Sequence, residues 1–285
     1  MITTFNIFFS IIVFFFGSII GSFLNVVILR YNTGMSFVKG RSICFSCGKK
    51  LTWYELIPVV SYLIQAGRCR GCKSRISPQY PLVEALTGSL FVGVFMLFGG
   101  FIPFFSIIPD FYTIGLMIIG FMTVSVLVTI SVYDIKHKII PTALSVIFSV
   151  LSLINLFYYY FFTNDLAQNL HTHLVWYLLA GPVLASPLFL IWLISRGKWM
   201  GLGDPKLVLS IGWFLGPILG LSALVLAFWS GAIYGIIMLI LSKMKWHGLQ
   251  ITGKTEVPFA PFLILGFLAV YFFGFDVLGL AVLIP

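Results

Sequence analysis

Residues 111–136 read FYTIGLMIIGFMTVSVLVTISVYDIK. Twenty-three consecutive positions, 111–133, carry no charge, and then Asp134 and Lys136 arrive together. About 20 apolar residues in a helix span the ~30 Å hydrocarbon core of a bilayer, so this stretch predicts a transmembrane helix that ends at a polar boundary. The rest of the 285-residue chain repeats the pattern. It is 60% hydrophobic, 17% aromatic and 9% charged, against about 25% charged residues in soluble domains. Eight acids and 17 bases cannot coat a soluble globule of this length, and 30 Phe, 12 Tyr and 7 Trp exclude a disordered chain. Further apolar runs place spans at 5–29, 82–98, 139–162, 173–195, 207–219, 221–242 and 259–280. The expected fold is an all-α polytopic membrane protein of about eight transmembrane helices.

The charges then assign the sides. With eight spans, every Lys and Arg falls in 30–81, 134–138, 196–206 or 243–258, and the alternate segments hold none. By the positive-inside rule those four segments are cytoplasmic and both termini lie outside. The net charge of +9 is therefore topological, and the basic residues carry no nucleic-acid-binding motif. The first apolar run lacks a positive start and is too long for a cleavable signal peptide, so it reads as a mature helix.

Residues 30–81 differ in composition from the rest, with nine bases and all four cysteines. Cys44 and Cys47 form one pair with two residues between them, Cys69 and Cys72 a second, and 21 residues separate the pairs. Two such knuckles complete a tetrahedral four-sulfur zinc site, structural because every ligand position is filled. Gly48 and Gly71 are the expected left-handed turn positions. A disulfide scaffold is disfavoured on the reducing side of the membrane. The organisation expected is a first helix at 1–29, the zinc module at 30–81 and a membrane domain at 82–285.

Among the scarce acids, Asp134 follows the third span and Asp204 precedes the sixth, in Met200-Gly201-Leu202-Gly203-Asp204-Pro205-Lys206. Both fall at one membrane level, so packed helices can bring the carboxylates together. Two close carboxylates share a proton, hold a water, and act as general base and general acid. Gly201 and Gly203 leave room for a peptide backbone beside Asp204, and Lys206 supports the same loop. Glu84 opens the second span, where an acid needs a partner or an aqueous cavity. Its two readings are a helix-start carboxylate and a substrate or cofactor role.

These residues resemble the type IV prepilin leader peptidases, membrane aspartic proteases of pilus and type II secretion systems. The stretches that carry the resemblance are Gly21-Ser22-Phe23-Leu24-Asn25-Val26-Val27, the cysteine pairs, Ile76-Ser77-Pro78-Gln79-Tyr80-Pro81-Leu82-Val83-Glu84, the Asp134 and Asp204 segments, and Val257-Pro258-Phe259-Ala260-Pro261-Phe262. The resemblance implies that Asp134 and Asp204 are catalytic, and that Asn25 joins Glu84 as a candidate for substrate or cofactor contact. It implies cleavage of the basic leader from prepilin and pseudopilin precursors at the cytoplasmic face of the bacterial inner membrane, after Gly and usually before Phe. Members with four cysteines also methylate the new amino terminus with S-adenosylmethionine, and no motif here marks the donor site. Two departures stand out. The family's Pro-Asp after the first aspartate is Pro141-Thr142, and its Pro-Phe-Gly-Pro-Phe carries Ala260 in place of Gly.

The rival readings are a transporter with a regulatory zinc module and a scaffold for secretion machinery, with membrane lipids as partners in every case. Transport predicts ionisable groups at the bilayer midplane, whereas these acids lie at the edge. His137, three residues after Asp134, reads as a surface residue.

Overall fold

The computed structural model describes residues 2–34, 36, 37, 40, 42–100, 110–162, 170–243 and 257–279. Lys39, Arg41, Lys245 and Lys254, which entered the charge partition, lie outside them. The described residues are helical, with no strand beyond two isolated bridges. The helices are α1 (Ile2–Arg30), α2 (Val60–Ile64), α3 (Gln79–Leu97), α4 (Phe111–His137), α5 (Thr142–Phe162), α6 (Leu170–Ser195), α7 (Gly203–Lys243) and α8 (Ala260–Phe273), with a 3₁₀ turn at Trp53–Leu56. Six are long and apolar enough to cross a membrane. The chain forms two compact units, Met1–Thr129 and Ile130–Pro285.

In the first unit α1 packs on α3 through small residues. A Cβ on Gly17 would lie 2.9 Å from the Gly88 Cα, and one on Gly21 would lie 2.9 Å from the Glu84 Cα. Gly17 and Gly21 form a Gly-x-x-x-Gly face, the spacing that lets helix backbones approach in lipid, where dispersion and hydrogen bonds replace the hydrophobic effect. One turn further along α1 the fully buried Asn25 donates to the Gly21 and Tyr80 carbonyls, both at 3.3 Å, and accepts from the Gln79 side chain at 3.3 Å. Phe91 stacks on Phe121 at 4.5 Å, joining α3 to α4. Asp110 caps α4 by accepting the Thr113 N–H at 3.2 Å.

The second unit is organised around α7. Its backbone leaves the helical region at Gly216 (φ 80°, ψ −176°), followed by Pro217, which has no N–H to donate. A Cβ on Gly220 would lie 3.4 Å from the Gly212 Cα, although eight residues of straight helix cover about 12 Å. The chain therefore doubles back, and arms 203–215 and 217–243 correspond to the two spans expected at 207–219 and 221–242. Gly212 meets the Gly181 Cα of α6, the Trp213 indole N–H donates to the Leu178 carbonyl at 2.9 Å, Ser149 bonds Ser210 at 2.7 Å across α5 and α7, and Gly266 of α8 lies against the Ala223 carbonyl. Phe148, Phe214, Phe267 and Tyr271 fill the space among α5, α7 and α8.

One expected span is shorter than its apolar run. Residues 259–280 hold a helix only to Phe273, because Gly274 adopts the left-handed conformation (φ 63°) and donates to the Val270 carbonyl at 2.8 Å. The helix is 14 residues, about 21 Å long.

Candidate active site and metal site

Asp134 lies inside the last turns of α4 rather than beyond it, and it is 4% exposed. Its Oδ2 accepts the Ala260 N–H at 3.2 Å. Ala260 is the first residue of α8 and is fully buried, so the carboxylate sits where a helix presents its free N–H groups and positive dipole end. The Gly-to-Ala departure leaves this contact intact, because the group that Asp134 uses is the backbone N–H.

Asp204 occupies the first turn of α7, is likewise buried, and feels the charge of Asp134. The structure therefore brings together the two aspartates that the sequence marked, from helix ends 70 residues apart. The flanking glycines divide their roles differently from expectation. A Cβ on Gly203 would lie 2.7 Å from the Ile140 Cβ, so Ile140, in the turn between α4 and α5, already fills the missing side chain's space. Gly203 lets α7 start tight against that turn. Gly201 is exposed, and among the described residues a Cβ there would meet nothing nearer than the Gly203 nitrogen at 3.9 Å. Lys206 is half-buried and pairs with neither carboxylate; among the described residues the one ion pair is Lys49–Glu55. At the departing Pro141-Thr142, Thr142 is exposed, and so is His137, which stacks on Tyr133 at 4.4 Å.

In the first unit, the sulfurs of Cys44, Cys47, Cys69 and Cys72 lie within 4.8 Å of one another, with Cys44 Sγ and Cys72 Sγ 3.9 Å apart. Tetrahedral bonds of about 2.3 Å to one zinc ion require sulfur separations of about 3.8 Å. The two knuckles repeat one geometry. Gly48 N–H donates to the Cys44 carbonyl and Lys73 N–H to the Cys69 carbonyl, while Ile43 bridges Lys50 and Arg68 bridges Arg75. The expected left-handed positions were Gly48 and Gly71. Gly48 has φ 71°, but in the second knuckle the equivalent residue is Lys73, with φ 58°. The turn needs its left-handed residue directly after the second cysteine, not between the pair.

The thiol chemistry matches a cation site. The N–H groups of Cys47 and Ser46 push the Cys44 thiol down to about 6. Cys47 is pushed up to about 11: the Lys49 amide favours its thiolate, but desolvation and the Cys44 and Cys72 sulfurs together outweigh it. Four sulfurs this close cannot all be anionic unless a metal ion lies among them.

Glu55 braces the first knuckle. Its carboxylate accepts the Thr52 N–H at 2.9 Å, the Lys49 ammonium at 2.9 Å and the Thr52 hydroxyl at 2.8 Å, which together, the amide first, push it down to about 2. A carboxyl depressed from its unfolded value of about 4.3 contributes its full stabilisation above about pH 5 and loses it as pH falls towards 2. Glu55→Gln should therefore speed hydrogen exchange of the Thr52 and Glu55 amides about tenfold at pH 7, and the gap from the parent should close between pH 5 and pH 2. A gap that persists at pH 2 would show that the carboxylate's charge is not what braces the turn.

Asn25 and Glu84 have structural partners. Asn25 straps α1 to the start of α3, and Glu84, 7% exposed, accepts the Val59 N–H at 2.7 Å. The Gly-x-x-x-Gly pair at 17 and 21 was the sequence signal that these residues line a helix–helix contact.

The chain thus combines a four-thiol cluster able to hold a metal ion with long apolar helices, two of which carry a buried aspartate near one end, as a membrane aspartic peptidase would require. Residues 15–98 match the bacterial peptidase A24 N-terminal domain and residues 121–236 the type IV leader peptidase family. The chain is 34% identical to the prepilin leader peptidase/N-methyltransferase of Myxococcus xanthus, over 81% of this chain and 64% of that one. It is 32% identical to that of Aeromonas salmonicida, over 90% and 89%, and 29% identical to that of Bacillus subtilis, over 94% and 96%. No solved structure matches. The chain belongs to the type IV prepilin leader peptidase/N-methyltransferase family. The first match contains the four cysteines with Asn25 and Glu84, and the second contains Asp134 and Asp204.

Proposed function

We propose that this protein is a bifunctional enzyme of the inner membrane, with both termini outside. It removes the basic leader of prepilin and pseudopilin precursors at the cytoplasmic face and then methylates the exposed α-amine. The observation that carries the peptidase reading is the pair of buried aspartates at helix ends, with Asp134 held by the Ala260 amide and Asp204 acted on by its charge.

Asp134, whose oxygen already accepts an N–H at a helix start, is the carboxylate suited to stay ionised as general base. Asp204 then carries the shared proton. Asp134 takes a proton from water as the hydroxyl attacks the carbonyl carbon of the scissile peptide, and Asp204 donates its proton to the carbonyl oxygen. Collapse of the tetrahedral species breaks the carbon–nitrogen bond: Asp134 gives its proton to the leaving amine while one hydroxyl of the gem-diol returns a proton to Asp204, which restores the starting state of the pair. Gly203 sets the start of α7.

The freed amine attacks the sulfonium methyl of S-adenosylmethionine, loses a proton and leaves the donor as a thioether. Cys44, Cys47, Cys69 and Cys72 would hold a structural zinc ion within the module at 30–81, and that ion supplies folding energy rather than chemistry. A first helix at 1–29 and a peptidase domain at 82–285 complete the proposed organisation. Placement of both acids at helix ends supports hydrolysis at a membrane edge over transport through its middle.

The test is purified full-length protein in lipid, given a peptide with a basic leader, a Gly and a following Phe, together with labelled S-adenosylmethionine. The expected products are a cut after Gly and label on the new amino terminus. An uncut peptide would sink the peptidase reading. A cut without label would confine the enzyme to proteolysis.

A further inference from the structure

The segment between the cysteine pairs carries an apolar surface that the proposed reactions do not use. On α2, Leu63 and Ile64 are 69% and 68% exposed, and Trp53 in the preceding 3₁₀ turn is 77% exposed. Trp53 and Tyr54 meet edge to face at 5.8 Å.

One buried bond sets the level of this segment. Glu84 lies five residues, about 7.5 Å, into α3, an apolar helix of 19 residues. A helical side chain leans back towards the N-terminus, so the Val59 N–H that Glu84 accepts at 2.7 Å lies beside the first turns of that span. Val59 has φ 60° and ψ −52°, the centre of a γ-turn closed by the Val60 N–H on the Pro58 carbonyl, a conformation that a β-branched residue holds only where its surroundings impose it. A Cβ on Gly21 would lie 2.9 Å from the Glu84 Cα, so α1 packs against the same point. The start of α2 is thus fastened to the polar end of two apolar helices.

Charge indicates what meets the exposed side chains. Between residues 42 and 76 there are six bases, Lys49, Lys50, Arg68, Arg70, Lys73 and Arg75, and one acid, Glu55, which Lys49 already engages. Arg68 and Arg75 pair across an isolated bridge and line a cleft of about 450 Å³ with Tyr62 and Ser77. Neither forms an ion pair among the described residues.

We propose that residues 56–64 form an interfacial element seated in one leaflet of the membrane, with Leu63 and Ile64 among acyl chains and Arg68 and Arg75 on the phosphates of anionic phospholipid. Glu84 is the positioning residue that holds the element at that depth. The inference rests on the membrane reading above and is independent of the chemistry at Asp134 and Asp204. Apolar side chains at the headgroup boundary beside clustered bases are the combination that binds anionic bilayers. A basic leader peptide would be repelled by the same face.

The experiment uses full-length protein in nanodiscs of phosphatidylglycerol with phosphatidylcholine, and of phosphatidylcholine alone, each with a trace of lipid bearing a photoreactive acyl chain. Adducts are expected in 56–64 as well as on α1 and α3, and α2 amides should exchange about tenfold more slowly with phosphatidylglycerol present. Arg68→Gln with Arg75→Gln should erase that tenfold difference. Leu63→Asp with Ile64→Asp, and separately Glu84→Leu, should remove adducts from 56–64, with zinc content and α3 adducts reporting that the chain remains folded. Adducts on α1 and α3 with none in 56–64 would overturn the proposal and leave the membrane reading standing. Absence of adducts everywhere would overturn both. Protection of 56–64 by a prepilin-like peptide rather than by lipid would make this a substrate dock and would also overturn the proposal.

Discussion

Asp204→Asn is expected to lower cleavage of a prepilin-like peptide by about a thousandfold or more while leaving helix content and zinc stoichiometry unchanged. The size follows from the loss of one member of a pair that acts as a unit. Asparagine keeps the shape of Asp204 in the first turn of α7 but can neither carry nor release the shared proton. Asp134 allows a sharper experiment because its structural and chemical roles can be separated. In Asp134→Asn the amide oxygen can still accept the Ala260 N–H, so α8 stays docked and activity alone is lost. In Asp134→Ala the same N–H is buried without an acceptor, at a cost of about 1–3 kcal/mol, and activity and thermal stability should fall together. Equal stability of the two variants would mean that Asp134 does not hold α8. Cleavage retained by both, and by Asp204→Asn, would remove the pair from the mechanism.

The second large effect is expected from metal removal. Between residues 42 and 76 the fully or nearly buried side chains are few, Cys69 and Glu55 among them, and Cys69 is the one apolar member of the core. So little apolar burial cannot hold the segment folded. Structural zinc contributes on the order of 10 kcal/mol to such modules, so chelation, or Cys69→Ser, should unfold the knuckles as a unit. One zinc per chain by elemental analysis, its loss in Cys69→Ser, and rapid proteolysis within 42–76 after chelation are the expected results. The contact of α1 with α3 depends on Gly17, Gly21 and Gly88 and should persist. A stoichiometry of zero in the parent protein, or a protease-resistant module after chelation, would show that something other than the metal holds it.

Much of this was legible before any coordinates. The 23 uncharged positions of 111–133 lie within α4, and the spans expected at 207–219 and 221–242 are the two arms of α7, with the reversal at Gly216 rather than at 220. The paired cysteines converge as their spacing required. The misreadings have local causes. Gly274 ends α8 because a left-handed residue terminates helical hydrogen bonding, and an apolar run continuing past it hides the stop. Gly71 was chosen for its residue type, yet the knuckle places its left-handed residue at Lys73, where the hydrogen bond back to Cys69 demands it. Gly203 read as open space, and Ile140 fills it.

The sequence by itself determined the apolar spans, the gathering of bases in alternate segments, the four thiols and the two aspartates to examine. Each is a local property: hydropathy over some 20 residues, or ligand spacing within one turn. Only the tertiary structure decided that Asp134 is held by an amide 126 residues away, that Asp204 lies within reach of its charge, and that Glu84 fastens Val59. The Ala260 and Val59 amides are backbone groups, which every residue but proline possesses and no motif marks, and packing of helices distant in the chain selects which of them a buried carboxylate meets.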